Sequence, residues 1–509
     1  MFWKHKSTSS ISQVRILYYL NNLKQMLLFL FSEFFLESLI FLFLLFELCF
    51  LAYLSSYFLY NPLTFLSKVI YLFLLLLFLI LLSIFNSLEI SSFYKNGAFL
   101  HSLTALVTQV YILVVASFVL IASRSYLFSR NFFSYEYLVI FSLALLGAEF
   151  ICTSSNISSI FLSIELQSLS CYVLASMHWS SEYSTEAGIK YFILGSFSST
   201  LLLFGFSLLY FSFGTFSFDN IQALNFDFKP FSLQTLSLLF IISSLLFKVG
   251  SVPFHSWVLD VYDGSFTSIA FFFATLPKIV FFLFMAKVTV LTFSYYSTFL
   301  YFPAFLSIFV ASFAALWQKR IKRLISFSAI SHAGFILIAL ATSNFFSIKT
   351  VVFYWFFYII TATGFFLLLL LSTNKKTYLK YIISWAYIAK RNVFIAIVIS
   401  LILFSMSGIP PLIGFYSKLL VFVSLVIEKQ IFLSMFIVSF SCLASFYYIR
   451  LVKVFFFIAS SRQPNYWLQT SSRDVELLLI TTLFSISFTL LQPNTFLNFS
   501  ALFSIFFFS

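Results

Sequence analysis

The sequence predicts an all-α polytopic membrane protein, and three observations carry that prediction. Of 509 residues, 61% are hydrophobic and 9% are charged, against about 25% charged in soluble domains. Mean hydropathy is +1.04. The apolar residues fall into runs of the length that crosses a bilayer as a helix, about 20 residues. Basic residues collect in every second loop between those runs, the asymmetry expected of a chain that crosses a membrane repeatedly.

In order, the runs predict about fourteen transmembrane helices, at 28–56, 63–87, 102–123, 136–154, 157–177, 187–213, 233–256, 265–288, 291–316, 323–343, 347–371, 393–424, 431–456 and 475–492. Residues 1–25 precede them, carry Lys4, Lys6, Arg15 and Lys24, and have no cleavable signal peptide of the usual form. They read as a basic extension on the membrane surface. Internal breaks are expected in three spans. Pro253 follows Lys248 in the seventh, Pro277 precedes Lys278 in the eighth, and Gly408-Ile409-Pro410-Pro411 interrupts the twelfth before Lys418.

Loops that follow odd-numbered spans hold Arg124, Arg130, Lys319, Arg320, Lys322, Arg323, Lys375, Lys376, Lys380, Lys390, Arg391, Arg462 and Arg473. Loops that follow even-numbered spans hold only Lys95, Lys229, Lys349 and Lys429. The odd loops are therefore expected on the matrix or cytoplasmic side. The basic N-terminal segment then falls on the opposite side, against the simplest form of the rule.

Several function classes find no support. Cys49, Cys152, Cys171 and Cys442 are scattered through apolar runs with no C-x-x-C spacing, so no iron–sulfur, zinc or disulfide signature is present. There is no P-loop, no dinucleotide fingerprint and no H-E-x-x-H. No cofactor is expected on this chain. The net charge of +13 informs topology, and no nucleic-acid partner is expected. The 78 Phe residues replace Leu on lipid-facing surfaces at little cost and point to no mechanism.

The informative residues are ionisable side chains inside spans. A charge at the bilayer centre costs roughly 2.5–3.5 kcal/mol on insertion scales and persists where it is paired, hydrated or used. Glu165 lies in the fifth span, Lys190 early in the sixth, Lys248 in the seventh, Lys278 in the eighth and Lys418 in the twelfth. Burial disfavours the charged lysine and a nearby carboxylate restores it. An acid and several lysines can thus pass protons along a bundle, which arginine, always charged, cannot. Structural ion pairing or snorkelling is the competing reading, and it weighs most for Lys190. Glu149 reads equally as a pathway acid or an interface-facing residue. His332 reads equally as a histidine bonded to a neighbouring helix or, with Ser326, Ser328 and Ser331, as support for a water wire. His255 and Asp260 read as capping or positioning residues of the helix broken at Pro253.

At these residues the chain resembles the antiporter-like membrane subunits of respiratory complex I, NADH:ubiquinone oxidoreductase, and most closely the subunit-2 branch. The ordered motifs are Glu165-Leu166-Gln167-Ser168-Leu169-Ser170, then Glu186-Ala187-Gly188-Ile189-Lys190-Tyr191. Phe247-Lys248, Pro253-Phe254-His255-Ser256-Trp257, Asp260-Val261-Tyr262-Asp263-Gly264 and Pro277-Lys278-Ile279 follow. Lys322-Arg323-Leu324, Ser331-His332-Ala333-Gly334 and Ser407-Gly408-Ile409-Pro410-Pro411 with Lys418 complete the series. The match covers about residues 140–425. Ser265-Phe266-Thr267-Ser268 departs from the small, proline-bearing stretch usual there.

The resemblance implies a fourteen-helix bundle with two inverted five-helix repeats and broken helices seven and twelve. Its division would be 1–25 extension, 26–135 first three helices, 136–290 first repeat, 291–456 second repeat and 457–509 last helix and tail. It implies that Glu165 and Lys248 are a coupled pair, that Lys190 modulates it, that Lys278 is the central relay and that Lys418 is the terminal lysine. It implies proton pumping across the mitochondrial inner membrane, driven by quinone reduction elsewhere in the complex. The implied partners are other membrane-arm subunits and membrane lipids. The competing functions are a subunit of a multi-subunit cation/proton antiporter and a non-pumping scaffold. The short stretch after the fourteenth span argues for the subunit-2 branch over the relative with a long lateral helix.

Overall fold

A computed structural model describes residues 98–223 (apart from 131, 133 and 135), 232–292, 297–371 (apart from 343), 380–386, 393–457 and 473–508, with short stretches within 70–78 and at 92–94. The first predicted span and the basic extension lie outside the described residues, as does most of the second span.

The helices are α1 (Leu103–Arg130), α2 (Glu136–Thr153), α3 (Ile157–Ala175), α4 (Glu182–Phe213), α5 (Phe218–Ala223), α6 (Leu233–Val249), α7 (Ser256–Gly264), α8 (Thr267–Thr292), α9 (Ser297–Trp317), α10 (Ile321–Ala341), α11 (Phe345–Leu371), α12 (Val393–Ser407), α13 (Ile413–Ile427), α14 (Ile431–Phe457), α15 (Arg473–Leu491) and α16 (Pro493–Phe508). All but two correspond to predicted spans three to fourteen, with spans seven and twelve each divided in two; α5, in the loop after span six, and α16, beyond span fourteen, were not anticipated. Among the described residues, nine helices are long and apolar enough to cross a membrane. The α6, α12 and α13 helices are shorter apolar segments of 10–17 residues. A hairpin of β1 (Ser92–Tyr94) and β2 (Phe99–His101) was not anticipated; the Asn96-Gly97 dipeptide between its strands is the local signal for it.

Burial sorts the helices. The spanning portions of α8 and α10 are wholly buried, so these two form the centre. Most of α4 and α14 is exposed, with Phe192, Phe197, Phe211, Phe432 and Phe446 on the outside. In a bilayer such apolar faces meet acyl chains at no cost.

The alternation of loops holds. At one end of the bundle, Phe99 bridges to Ser154 and Asn156 to Ser217, joining the loops after spans two, four and six. At the other end Arg320 bridges to Tyr381, Lys380 lies over the Tyr183 ring and the His178 ring packs on Phe266, joining loops after odd spans.

Two expected breaks are present and share one backbone solution. α6 ends at Gly250 (φ 79°) and α12 at Gly408 (φ 84°), both left-handed. The Gly250 N–H donates to the Leu246 and Phe247 carbonyls and the Ser251 N–H to Leu246; Gly408 and Ile409 repeat this on Phe404 and Ser405. This is the closure that glycine permits just beyond a helix end. Pro253 and Pro411 stand three residues after each glycine, in cis peptide bonds.

The third break is absent, a correction to the expectation. Pro277 lies inside the continuous helix α8. Proline removes one backbone donor without ending the helix; in the adjoining turn the Tyr358 hydroxyl donates to the Ala274 carbonyl at 3.1 Å. Lys322 also departs from the expectation of a loop residue. It lies in the first turn of α10, 6% exposed, and its Nζ donates to the Ser265 carbonyl at 2.6 Å.

Candidate functional site

Four basic side chains are held inside the bundle, each on a different helix. Lys248 is placed by the last turn of α6, immediately before the Gly250 closure, and is 5% exposed. Lys278 follows Pro277 at the middle of α8 and is 4% exposed. His332 sits on the buried helix α10. Lys418 lies in the second turn of α13, partly buried. Among the described residues, none of the three lysines forms an ion pair; the ion pairs present involve other cations.

Tyrosines take the place of carboxylates as neighbours. The Lys248 Nζ donates to the Tyr172 hydroxyl at 3.4 Å. Glu165 stands two helical turns before Tyr172 on the same face of α3 and acts electrostatically on both Tyr172 and Lys248, beyond ion-pair distance. Its Oε1 is buried without a hydrogen-bond partner among the described residues. The two members of the expected acid–lysine pair are therefore not in direct contact: Lys248 meets the Tyr172 phenol, and Glu165 acts on both from a distance.

The Lys278 Nζ donates to the Tyr358 hydroxyl at 3.3 Å and to the Ala329 carbonyl at 3.4 Å. Lys278 and Lys418 are both near enough to act electrostatically on His332. His332 Nδ1 shares a hydrogen bond with the Tyr354 hydroxyl at 2.8 Å, and Nε2 with the Tyr448 hydroxyl at 3.3 Å. His332 is thus bonded to two neighbouring helices, as the first of its two readings has it. The Ser326, Ser328 and Ser331 hydroxyls each donate to a carbonyl one turn back on α10; Ser328 and Ser331 also meet Tyr448 and Tyr447. The Lys418 Nζ donates to the Ser407 carbonyl, freed by the second break, at 2.6 Å.

Lys190 stands apart from these four. It pairs with Glu186 at 2.7 Å and Asp260 at 2.9 Å, and its side chain is 43% exposed. The pairing reading thus describes its geometry. Arg323 reaches Asp260 at 3.5 Å and Asp263 at 3.1 Å, and Arg320 reaches Asp263 at 2.5 Å. The hydrogen bond that Arg320 donates to Asp263 raises the Arg320 pKa further, so this end of the cluster stays charged. Asp260 positions α7, as anticipated. His255 occupies the position before α7 but makes no side-chain cap. Glu149 is 2% exposed on α2.

Sequence reasoning missed the tyrosines Tyr172, Tyr354, Tyr358, Tyr447 and Tyr448, and Trp257, whose Nε1–H donates to the Phe247 carbonyl at the first break at 3.0 Å. With 28 Tyr in the chain, composition does not single these out. Helical spacing is the usable signal: seven residues separate Glu165 from Tyr172, and four separate Tyr354 from Tyr358. Among the described residues no cluster of His, Cys, Asp and Glu has the arrangement of a metal site.

Buried lysines on a centre of wholly buried helices, beside two broken helices, define a polytopic membrane protein of the antiporter-like class. The sequence profile described as NADH:quinone oxidoreductase/Mrp antiporter, TM matches residues 154–444, and the chain belongs to that family. It is 35% identical over 376 residues to the NADH-quinone oxidoreductase subunit N of Bartonella bacilliformis, covering 72% of this chain and 77% of the relative. It is 32% identical over 429 residues to the NADH-ubiquinone oxidoreductase chain 2 of Marchantia polymorpha, covering 82% and 86%. A chain of respiratory complex I from Thermus thermophilus, solved with aureothin bound, superposes with a TM-score of 0.76 at 22% identity, over 91% of this chain and 98% of that one. That last likeness is one of fold.

Proposed function

We propose that this chain is a proton-translocating subunit of the membrane arm of respiratory complex I. The observation that carries the reading is the set Lys248, Lys278 and Lys418, three lysines held inside the bundle without an ion pair among the described residues. A desolvated lysine without a carboxylate partner gives up its proton readily, and a change at a neighbouring charge switches it between holding and releasing. Glu165 supplies that charge to Lys248, and Lys278 and Lys418 share an electrostatic neighbour in His332.

In the forward direction, a proton on Lys248 passes to Lys278, leaving Lys248 neutral and Lys278 charged, and then toward Lys418. Glu165 holds the charge on Lys248 until the electrostatic balance changes. The redox reaction belongs to other subunits, and this chain is assigned no flavin, iron–sulfur centre or metal. Its partners are neighbouring membrane-arm subunits and lipid, and its location is the mitochondrial inner membrane, by likeness to the chain-2 relatives. The same reading treats 136–290 and 291–456 as inverted repeats.

The family also embraces Mrp antiporters, so a subunit of a cation/proton antiporter is the second reading. The NADH dehydrogenase names of the relatives that match two thirds or more of this chain favour the first. Purification separates them: co-isolation with NADH:quinone reductase activity supports complex I, and co-isolation with sodium/proton exchange without it supports the antiporter. A Lys248→Ala or Lys278→Ala complex that assembles and pumps at the normal proton-to-electron ratio would overturn the relay.

A further inference from the structure

The ion-pair cluster that holds Lys190 is a chain of charges alternating in sign: Glu186, Lys190, Asp260, Arg323, Asp263 and Arg320. Glu186 and Lys190 belong to α4, Asp260 and Asp263 to α7, and Arg323 to α10, with Arg320 just before it. Asp260 is the member shared between helices. Its Oδ2 accepts from Lys190 at 2.9 Å, and its Oδ1 lies 3.5 Å from Arg323. The second segment of the first broken span is thereby tied to two other helices. A lone exposed ion pair contributes little, whereas a network of several can hold a geometry. The seam with α4 is close: a β-carbon at Gly264 would collide with the Tyr183 carbonyl.

The placement of α7 reaches Lys248 through aromatic rings. Trp257 stands one turn before Asp260, on the same side of α7. Its indole stacks on Tyr191 at 4.5 Å and 9°, and on Phe247, the residue before Lys248, at 5.5 Å and 27°. Tyr191 follows Lys190 on α4 and meets the Tyr172 ring edge-on at 4.7 Å and 90°. One turn further along α4, a β-carbon at Gly195 would collide with the Tyr172 hydroxyl. Tyr191 and Gly195 thus form a slot that fixes the phenol, and that phenol is the partner of Lys248 at 3.4 Å. Tyr172, Tyr191 and Trp257 are all buried, and a densely packed interior passes a displacement from one side chain to the next.

We propose that Asp260 is a positioning residue for Lys248. Its carboxylate holds α7 against α4 and α10, and the rings of Trp257, Tyr191 and Tyr172 carry that placement to the hydrogen bond between Lys248 Nζ and the Tyr172 hydroxyl. Asp260 itself takes up no proton. When its charge is removed, α7 is released from Lys190 and Arg323, Trp257 shifts against Tyr191, and the phenol loses its alignment on Lys248. Arg323, far along the chain from Lys248, acts on it by the same route.

This proposal rests on the relay reading, and the test separates the two. Asp260→Asn, Asp260→Glu, Tyr172→Phe, the double variant Asp260→Asn with Tyr172→Phe, and Lys248→Ala are made in the intact complex and reconstituted into liposomes. Proton uptake driven by NADH is measured per assembled complex. Asp260→Asn is expected to slow uptake by about fivefold, the lower end of coupling between separate sites. Asp260→Glu, which keeps the charge, should recover most of the rate. The double variant should pump at the rate of Tyr172→Phe alone, because residues that act through one contact are not additive. A double variant slower than Tyr172→Phe overturns the route through Tyr172. Asp260→Glu as slow as Asp260→Asn overturns the charge as the origin of the effect. Full pumping in Asp260→Asn beside lost pumping in Lys248→Ala overturns the role of Asp260 alone. Full pumping in Lys248→Ala overturns the relay and this proposal together. If Asp260→Asn fails to assemble, Arg323→Gln, which unties the same carboxylate from α10, goes through the same cycle and is read by the same outcomes.

Discussion

The two broken helices close their backbones alike and use their lysines differently. Gly250 and Gly408 both adopt left-handed conformations and make the same pattern of amide hydrogen bonds. At the first break a carbonyl at the helix end, that of Phe247, is met by the neutral indole of Trp257. At the second a different carbonyl, that of Ser407 next to the glycine, is met by the ammonium of Lys418 itself. Lys248 precedes its glycine by two residues and Lys418 follows its glycine by ten. Lys248 is thus left facing Tyr172 and the charge of Glu165, whereas Lys418, a proton station under the proposed relay, is also part of the helix closure. A break and a lysine recur in the two halves, but the same charge is mechanically free in one and structural in the other.

The contrast sets an order of expected effects. Lys418→Met removes a charged hydrogen bond worth about 1.5–3 kcal/mol as well as a station. It should abolish pumping and also lower the thermal stability of the assembled complex. Lys248→Met should abolish pumping with little change in melting temperature. Equal thermal shifts in the two variants would break the comparison. Glu165→Gln keeps the shape and removes the charge that acts on Lys248 and Tyr172. It should slow pumping several-fold, by about 1 kcal/mol or more, without changing assembly; an unchanged rate would detach Glu165 from the site. Trp257→Phe should cost about 1 kcal/mol of stability, one net hydrogen bond, and leave the proton-to-electron ratio intact, which calorimetry and a pumping assay check together. Smallest is Asp263→Asn. Its bridges to Arg320 and Arg323 are partly exposed, so about 1 kcal/mol or less is expected. The loss should shrink at high salt, which screens such pairs.

Much of this was legible in the residues. The apolar runs located the helices, since only a continuous hydrogen-bonded helix satisfies its backbone in lipid. Lys248, Lys278 and Lys418 announced themselves because a charge inside such a run is costly. What sequence did not disclose depends on packing between helices. Pro277 looks like a helix break, yet it lies within a continuous helix whose spanning part is wholly packed inside the bundle. Lys322 looks like a loop residue, and only its contact with Ser265 shows it buried. Lys190 carries the same charge in an apolar run as Lys248, yet Asp260, seventy positions on, draws it into an exposed ion-pair cluster. The tyrosines were hidden by abundance, because no single Tyr stands out until it meets Lys248, Lys278 or His332.

The central claim is that cations buried without ion-pair partners among the described residues carry protons through the bundle. Its most direct test is proton uptake per NADH oxidised by the intact complex with Lys278→Ala, in sealed liposomes beside the unaltered complex. Pumping lost or reduced by about tenfold, in a complex that assembles normally, is the predicted result. An assembled Lys278→Ala complex with the full rate and ratio would contradict the account.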